Sequence, residues 1–220
     1  MKENVMVVCA HGDDEVIGCG GTIAKHIQDG DKVHVLIMAD GVSSRNAVHQ
    51  DYQKRNEAVL KAADILGHTV TQLAYFDNEM DSYTQLQIVK SIESEFAEHK
   101  PTIVYTHWPH DLNVDHRVTS MCTAVACRPI PGSFIERLFY FEVMSSTEWQ
   151  TNGEIFNPNW FVDISLTIDI KLAALKCYDV EMRPYPHARS RDSVIYNSYR
   201  RGSSVGRFCA EAFILARGIC

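Results

Sequence analysis

Residues 4–21 read NVMVVCAHGDDEVIGCGG, and this stretch decides how the rest of the chain is interpreted. The apolar run 4–9, rich in β-branched valine, is typical of a buried strand. A helical pattern begins at about residue 19. Between strand and helix the chain places one histidine and three acids: His11, Asp13, Asp14 and Glu15. A concentration of polar side chains at the end of a buried strand indicates a functional site.

The alternation of strand and helix continues along the chain. Further apolar runs lie at 33–39, 69–75 and 102–107, with less regular ones at 138–143 and 160–164. The helical patterns between and after them lie at about 19–29, 46–66, 83–99, 116–127, 168–180 and 191–201. Strands joined by helices are typical of a parallel sheet, so we expect an α/β fold with a mainly parallel sheet.

Length and composition predict one domain over residues 1–220, because a single core usually serves about 100–250 residues. The chain is 45% apolar and 22% charged, which is typical of a globular protein. No linker or repeat divides it. The loop-rich region at about 130–160 is interpreted as either a lid or an insertion within that domain.

Charge and hydropathy exclude several classes of partner. The formal net charge is −7 without a basic stripe, which argues against nucleic acid. The longest apolar runs are far shorter than the roughly 18 residues of a membrane span, and no secretory signal is visible. Seven cysteines without a CxxC pair are interpreted as reduced thiols. Together these features predict a cytoplasmic protein.

Two clusters rich in histidine and aspartate follow predicted strands. His11 and Asp14 follow the first strand, at a spacing that lets an imidazole and a carboxylate converge, and His107, His110 and His116 follow the fourth. The carboxyl ends of parallel strands share one edge of a sheet, so the clusters are expected to face each other. Catalytic Zn²⁺ uses three such nitrogen or oxygen ligands and a water. The spacing therefore predicts a metal site.

The glycines of the opening stretch invite comparison with a dinucleotide-binding fingerprint. Ile23 stands where the third glycine of GxGxxG belongs, and the preceding carboxylates would repel a pyrophosphate. Neither HExxH nor a pair of CxxC elements is present. We interpret the glycines as positions of close helix-to-strand packing and a tight turn. A dinucleotide-dependent oxidoreductase is the least favoured alternative.

The segments AHGDDEVIGCGGT (10–22) and HWPHDLNVDHR (107–117) resemble motifs of a known family. The first resembles the AHPDDE motif of the LmbE-like, or PIG-L, zinc-dependent N-deacetylases, with Gly12 where proline is usual. Segments from MADGVSSR to YRRGSSVGRFCAEAF are similar to that family in the same order, so the resemblance covers nearly the whole chain. It implies a Rossmann-like three-layer sandwich and removal of an N-acetyl group from an amino sugar or sugar conjugate.

The resemblance also implies roles for individual residues. His11, Asp14 and His116 match the family's zinc ligands. Asp13 matches the general base that takes a proton from the zinc-bound water and returns it to the leaving amine. Glu15 matches a position without a direct catalytic role, and its charge suits the start of a helix.

The sequence departs from the family pattern at a position that is concerned with proton transfer. Asn113 stands where many family members carry a histidine that assists this step, and an asparagine cannot titrate. His110, in the same loop, and His187, in the segment YPHARS, are the candidates for the missing role, with His187 expected to be catalytic. For His187 the alternative is a helix cap or a surface residue.

The remaining candidates lie around the substrate and the ligands. Arg45, His110 and Asn113 are expected to face the substrate, although Arg45 is equally compatible with a plain surface position. Asp115 is expected to orient His116 or a neighbouring histidine. Asp77 is interpreted as a pocket wall or a turn residue.

Other functions stay open at this point. An amidase acting on a larger acyl or thiol conjugate would use the same metal and base with a different pocket. A zinc- or sugar-binding protein without turnover is suggested by Asn113. In each case the expected partner is a small molecule, an N-acetylated sugar in the leading hypothesis. The apolar C-terminal segment 208–220 makes a homo-oligomer plausible.

Overall fold

The opening apolar run forms a central strand of a seven-stranded sheet in the computed structural model, which describes residues 2–45, 48–149 and 153–219. The strands are β1 (Asn4–Cys9), β2 (Lys32–Ala39), β3 (Thr69–Tyr75), β4 (Ile103–His107), β5 (Arg137–Phe141), β6 (Trp160–Asp163) and β7 (Ala210–Gly218). Their order across the sheet is β3-β2-β1-β4-β5-β7-β6. Strands β1 to β5 pair in parallel, and β7 is antiparallel to both of its neighbours. The predicted mainly parallel sheet is confirmed.

Helices cover both faces of this sheet, as a parallel sheet with crossover connections requires. They are α1 (Asp14–Asp29), α2 (His49–Leu66), α3 (Gln85–His99), α4 (Val114–Ala126), α5 (Ile168–Leu175) and α6 (Arg191–Ser203). Val5, Val7 and Cys9 of β1 join a core with α1, α2 and α5, whereas Met6 and Val8 join a second core with α3 and α4. This alternation confirms the three-layer sandwich and makes β1 hydrophobic on both sides.

Local signals explain where several helices begin and end. α1 and α2 end at Gly30 and Gly67, which adopt the left-handed conformation with φ of 80° and 83°. Thr84 caps α3 through the backbone N–H of Gln87. The sequence prediction was wrong about the start of α1, because the helix begins at Asp14, inside the acidic motif. The motif therefore spans the turn before α1, which contains His11 and Asp13, and the first residues of the helix, Asp14 and Glu15.

The C-terminal apolar segment contains a strand that the sequence analysis did not predict. It forms β7, which inserts antiparallel between β5 and β6. Phe213 of this strand is fully buried. The apolar character that suggested self-association is thus largely explained by packing within the chain, and the homo-oligomer stays a prediction.

Three further expectations concern membrane spans, cysteines and the region at about 130–160. None of the helices in the described parts of the chain is long and apolar enough to cross a membrane. The six described cysteines are all free, and Cys220 lies outside the described residues. The region at about 130–160 includes β5, a strand of the sheet, and residues 150–152 lie outside the described ranges. Its role as a lid or an insertion stays a prediction.

Candidate active site

The two predicted clusters lie at the carboxyl ends of β1 and β4, which are neighbours in the sheet. The turn after β1 leads into α1, and the loop after β4 leads into α4, so both clusters sit at helix starts. Asn113 caps α4, because its Oδ1 accepts the backbone N–H groups of Asp115 and His116. Adjacent parallel strands therefore bring residues a hundred positions apart to one point.

His11, Asp14 and His116 converge there, and all three are buried. Nδ1 of His11 lies 3.2 Å from Oδ2 of Asp14, and Nε2 of His116 lies 3.3 Å from the same oxygen. One ligand atom from each residue lies within 4.8 Å of the other two. Three nitrogen and oxygen donors at such separations match the protein ligand set of a catalytic Zn²⁺.

The other nitrogen of each imidazole faces a carboxylate. Nε2 of His11 lies 3.0 Å from Asp115 and 3.1 Å from Asp77. Nδ1 of His116 lies 3.1 Å from Asp111. Metal-binding histidines usually make this kind of contact with their second nitrogen, which fixes the ring and its tautomer. Of the two histidines that Asp115 was expected to orient, it therefore contacts His11.

Two buried atoms of the trio are left without hydrogen bonds. Oδ1 of Asp14 and Nε2 of His116 have no hydrogen-bond partner among residues 2–45, 48–149 and 153–219. Buried polar groups are rarely unsatisfied, and a bound cation would satisfy both atoms. This observation supports the fit of His11, Asp14 and His116 to a metal ion.

The pKa values of Asp14 and His116 are shifted by the charges of the groups around them. Burial raises the pKa of the Asp14 carboxyl, but His116, His11 and His107 outweigh this effect and hold that pKa well below its usual range. Burial lowers the pKa of His116, but Asp14 and Asp111 outweigh it and raise the pKa to about 9. The site therefore attracts positive charge, and a divalent cation would compete with protons for it.

Asp13 is completely buried beside the trio and is not a member of it. Its Oδ2 lies 3.3 Å from Nη1 of Arg189, and its Oδ1 lies 3.7 Å from Nη2 of Arg55. Two guanidinium groups thus hold its carboxylate in place. Oδ1 makes no hydrogen bond within the described residues, so one oxygen of this buried carboxylate is available to accept a proton.

Glu15 supports the backbone of Asp13. Its Oε2 accepts the backbone N–H of Asp13 at 2.8 Å, and its Oε1 accepts the hydroxyl of Tyr178 at 2.7 Å. Asp13 has φ of 141°, a conformation that is costly for a residue with a side chain. Burial raises the pKa of Glu15 to about 7, although both hydrogen bonds favour its charged form. Glu15 therefore does more than suit a helix start, because it holds Asp13 in a strained conformation.

A polar cavity of about 120 Å³ opens beside His11. Its lining includes Arg45, Asp77, Asn113 and Arg189. The guanidinium of Arg45 is about half exposed and pairs with Glu181 through two contacts of 3.1 and 2.8 Å. Arg45 and Asn113 thus face this cavity, and Asp77 forms part of its wall as well as contacting His11.

Two predicted residues lie elsewhere. His110 is exposed, packs against Trp108 at a ring distance of 5.3 Å, and is not among the described residues that line the cavity. His187 is exposed, and its Nδ1 accepts the backbone N–H of Arg189 at 3.0 Å. The segment 183–190 does reach the site, but the side chain that arrives there is Arg189. The proposed roles of His110 and His187 have no contact in the structure to support them.

Gly12 is required by packing. A Cβ at this position would lie 2.5 Å from Cγ2 of Val59, so the glycine lets α2 pack closely on the turn. Gly18 and Gly21 play the same part against Phe141 and Ile164. The interpretation of these glycines as close-packing positions agrees with the structure.

Sequence reasoning missed Arg55, Arg189 and Asp111. Arg55 lies within α2, and its buried guanidinium contacts Glu181 at 3.0 Å as well as Asp13. Nothing in the spacing of the sequence distinguishes these arginines from surface arginines. Asp111 carried a signal, because it lies inside the second histidine cluster, but its contact with His116 depends on the loop conformation.

Comparison with known proteins gives a consistent result. The family model described as "PIG-L: GlcNAc-PI de-N-acetylase" matches residues 6–127, which is more than half of the chain. Diacetylchitobiose deacetylase of Thermococcus kodakarensis is 29% identical over 189 residues, covering 80% of this chain and 69% of that protein. 4-Oxalmesaconate hydratase of Pseudomonas putida is 27% identical over 199 residues, and this match covers 80% of this chain and 73% of the hydratase.

The fold is shared with solved structures. The N,N'-diacetylchitobiose deacetylase of Pyrococcus horikoshii superposes with a TM-score of 0.79 at 22% identity, covering 97% of this chain and 84% of that one. Similarity at this level of identity establishes the common architecture. The family model, over residues 6–127, contains most of β1 and all of α1, β4 and α4, the elements that carry the trio.

Proposed function

Because this chain belongs to the PIG-L family, we propose that it is a metal-dependent hydrolase that removes the N-acetyl group from an N-acetylated amino sugar or sugar conjugate. The observation that carries the proposal is the convergence of His11, Asp14 and His116 beside the buried carboxylate of Asp13. The similarity to a diacetylchitobiose deacetylase supports an amino-sugar substrate.

In this proposal His11, Asp14 and His116 hold Zn²⁺. The ion supplies Lewis acidity, which polarises a carbonyl group and makes water acidic near neutral pH. Asp13 accepts a proton from the attacking water at its carboxylate and delivers it to the nitrogen of the leaving amine. Asp115 and Asp111 keep the two imidazoles oriented.

The surrounding residues keep Asp13 in its working position. Arg189 and Arg55 hold its carboxylate, and Glu15 holds its backbone N–H. Both guanidinium groups remain charged at any physiological pH, so they hold this carboxylate through ion pairs at any pH at which the protein works. Arg45 and Asn113, on the wall of the cavity, supply hydrogen-bond donors for sugar hydroxyls.

Substitution of Asp13 tests the mechanism. Asp13→Asn preserves shape but cannot accept the proton, so it should retain as much Zn²⁺ per chain as the parent while acetate release falls by at least about 100-fold. Asp14→Ala is the matched control, since it should lose one equivalent of Zn²⁺ together with activity. Free acetate from a panel of acetylated sugars and metal content by mass spectrometry are the readouts. An Asp13→Asn variant as fast as the parent would refute the mechanism.

The same panel separates the other candidates. Release of a larger acid from longer acyl or thiol conjugates, without acetate release, would indicate an amidase. Bound Zn²⁺ with no turnover of any substrate would indicate a binding protein.

A hydratase is the second candidate function. The similarity to 4-oxalmesaconate hydratase suggests it, and three arginines, Arg45, Arg55 and Arg189, line the cavity beside His11 and would suit a substrate rich in carboxylates. Hydration of an unsaturated dicarboxylate can be monitored by the loss of the ultraviolet absorbance of its double bond. That loss, without acetate release from any sugar, would favour the hydratase.

A further inference from the structure

A second group of metal-ligating side chains lies at the opposite edge of the sheet. His34 is near the start of β2, while Glu95 and His99 are one turn apart at the end of α3. Nε2 of His34 lies 3.5 Å from Oε2 of Glu95, and Nε2 of His99 lies 3.7 Å from the same oxygen. Such separations are close to those between ligands of a tetrahedral ion with bonds of about 2.1 Å.

The hydrogen bonds of His34 to its neighbours determine which of its ring nitrogens carries the proton. Nδ1 of His34 lies 2.8 Å from the hydroxyl oxygen of Thr69, and that hydroxyl donates to the carbonyl of Val33 at 3.4 Å. Thr69 therefore accepts a hydrogen bond from Nδ1–H of His34, which places the ring proton on Nδ1 and leaves Nε2 unprotonated. The hydroxyl of Thr71, 3.1 Å away, is the neighbouring donor for this nitrogen.

The carboxylate oxygen between the two histidines is unsatisfied. Oε2 of Glu95 is buried and accepts no hydrogen bond from the part of the chain that the structure describes. The unsatisfied Oε2 of Glu95 thus lies 3.5 Å from Nε2 of His34, and a cation bound between these two atoms would satisfy the carboxylate oxygen.

The surroundings leave room for an ion and its water. His34 and His99 line an open cavity of about 570 Å³, which admits solvent to the group. The side chain of His34 is 8% exposed, whereas that of His99 is 28% exposed and ends its helix. The two rings are stacked at 3.7 Å with an angle of 16°, so a shared ion requires His99 to rotate away from His34. Its exposure and terminal position permit that rotation.

We propose that His34, Glu95 and His99 form a second metal site that binds a divalent transition-metal ion such as Zn²⁺. Two imidazoles, one carboxylate and a solvent ligand make a tetrahedral set that prefers Zn²⁺ over Ca²⁺ and Mg²⁺. The ion would fasten the end of α3 to β2. The site is separate from the trio, since it lies at the other ends of the strands.

Zn²⁺ binding to a protein that lacks the first site tests the proposal. The His11→Ala/His116→Ala double variant removes the first site, and its Zn²⁺ binding is measured by calorimetry and by metal content after dialysis. We expect one Zn²⁺ per chain with micromolar or tighter affinity and none with Mg²⁺. Adding His99→Ala or the isosteric Glu95→Gln should weaken binding by more than about tenfold.

The matched control is His49→Ala, which removes an exposed histidine elsewhere and should leave Zn²⁺ binding unchanged. In the double-variant background, Zn²⁺ at a hundredfold excess over its dissociation constant should raise Tm by about 5–10 °C. His99→Ala should abolish this rise. Absence of Zn²⁺ binding in the double variant, or binding that both His99→Ala and Glu95→Gln leave intact, would overturn the proposal. Neither result bears on acetate release by the parent enzyme.

Discussion

Gly12 offers a direct test of how packing constrains the active-site turn. An ideal Cβ at this position would lie 2.5 Å from Cγ2 of Val59, whereas carbon atoms normally approach to about 3.5–4.0 Å. Val59 is 2% exposed, and a valine in a helix has essentially one side-chain rotamer. In Gly12→Ala the turn or α2 must therefore move by about 1 Å.

The expected cost follows from this overlap. Overpacking of a buried site destabilises a protein by about 1–3 kcal/mol, so Gly12→Ala should lower the free energy of unfolding by that amount. Val59→Ala alone should cost about 2 kcal/mol, since it removes two buried methyl groups and leaves a small cavity. In the double variant the new methyl group occupies the space that Val59 vacates. The two effects should therefore be less than additive, with a coupling of about 1–2 kcal/mol.

Urea unfolding of the parent, both single variants and the double variant measures this coupling. Because Gly12 lies between His11 and Asp13, acetate release should fall in Gly12→Ala and recover in the double variant. Gly218→Ala is the control, since its Cβ would meet Leu215 at an ordinary 3.5 Å. The reasoning is refuted if Gly12→Ala is within about 0.5 kcal/mol of the parent, or if Val59→Ala gives no relief.

Further predictions concern the side chains of His68 and Arg189. Burial lowers the pKa of His68 to about 4, whereas the pKa of a histidine in the unfolded chain is about 6.5. Because the unfolded chain therefore binds this proton at higher pH than the folded protein, stability is lost as pH falls from 6.5 through 4. The difference in free energy of unfolding between the parent and His68→Gln, measured by urea unfolding, should thus change by about 2 kcal/mol against the parent between pH 7 and pH 5. A difference that does not depend on pH would contradict this prediction. Arg189→Gln leaves Asp13 with Arg55 at 3.7 Å as its remaining described cation, and should lower kcat/KM for acetate release by about 100-fold with Zn²⁺ content unchanged. Arg189→Lys, which keeps the charge but not the planar fork, should lose less, and parental activity in Arg189→Gln would count against its positioning role.

Apolar periodicity and the position of polar motifs were enough to predict the class of fold and the location of the candidate active site. Runs of apolar and β-branched residues revealed six of the seven strands, and the central strands β1, β2 and β4 are mainly apolar because they are buried on both faces. The seventh, β7, escaped notice because an antiparallel strand that follows a helix at the end of a chain carries no βαβ pattern. The motif HGDDE and the later histidines lay at strand ends, where parallel strands gather their polar residues.

Which side chains contact one another could not be predicted from the sequence and follows from the packing of distant elements. Whether Asp115 orients His11 or His116 depends on the rotation of two side chains across neighbouring loops, and spacing along the chain does not encode it. Arg189 rather than His187 reaches Asp13, because the direction of each side chain in the segment 183–190 is set by its packing. His34 lies far along the chain from Glu95 and His99, which share one helix, and the three side chains meet only in the folded protein. Local periodicity follows from each residue and its neighbours, whereas these contacts depend on how distant elements pack.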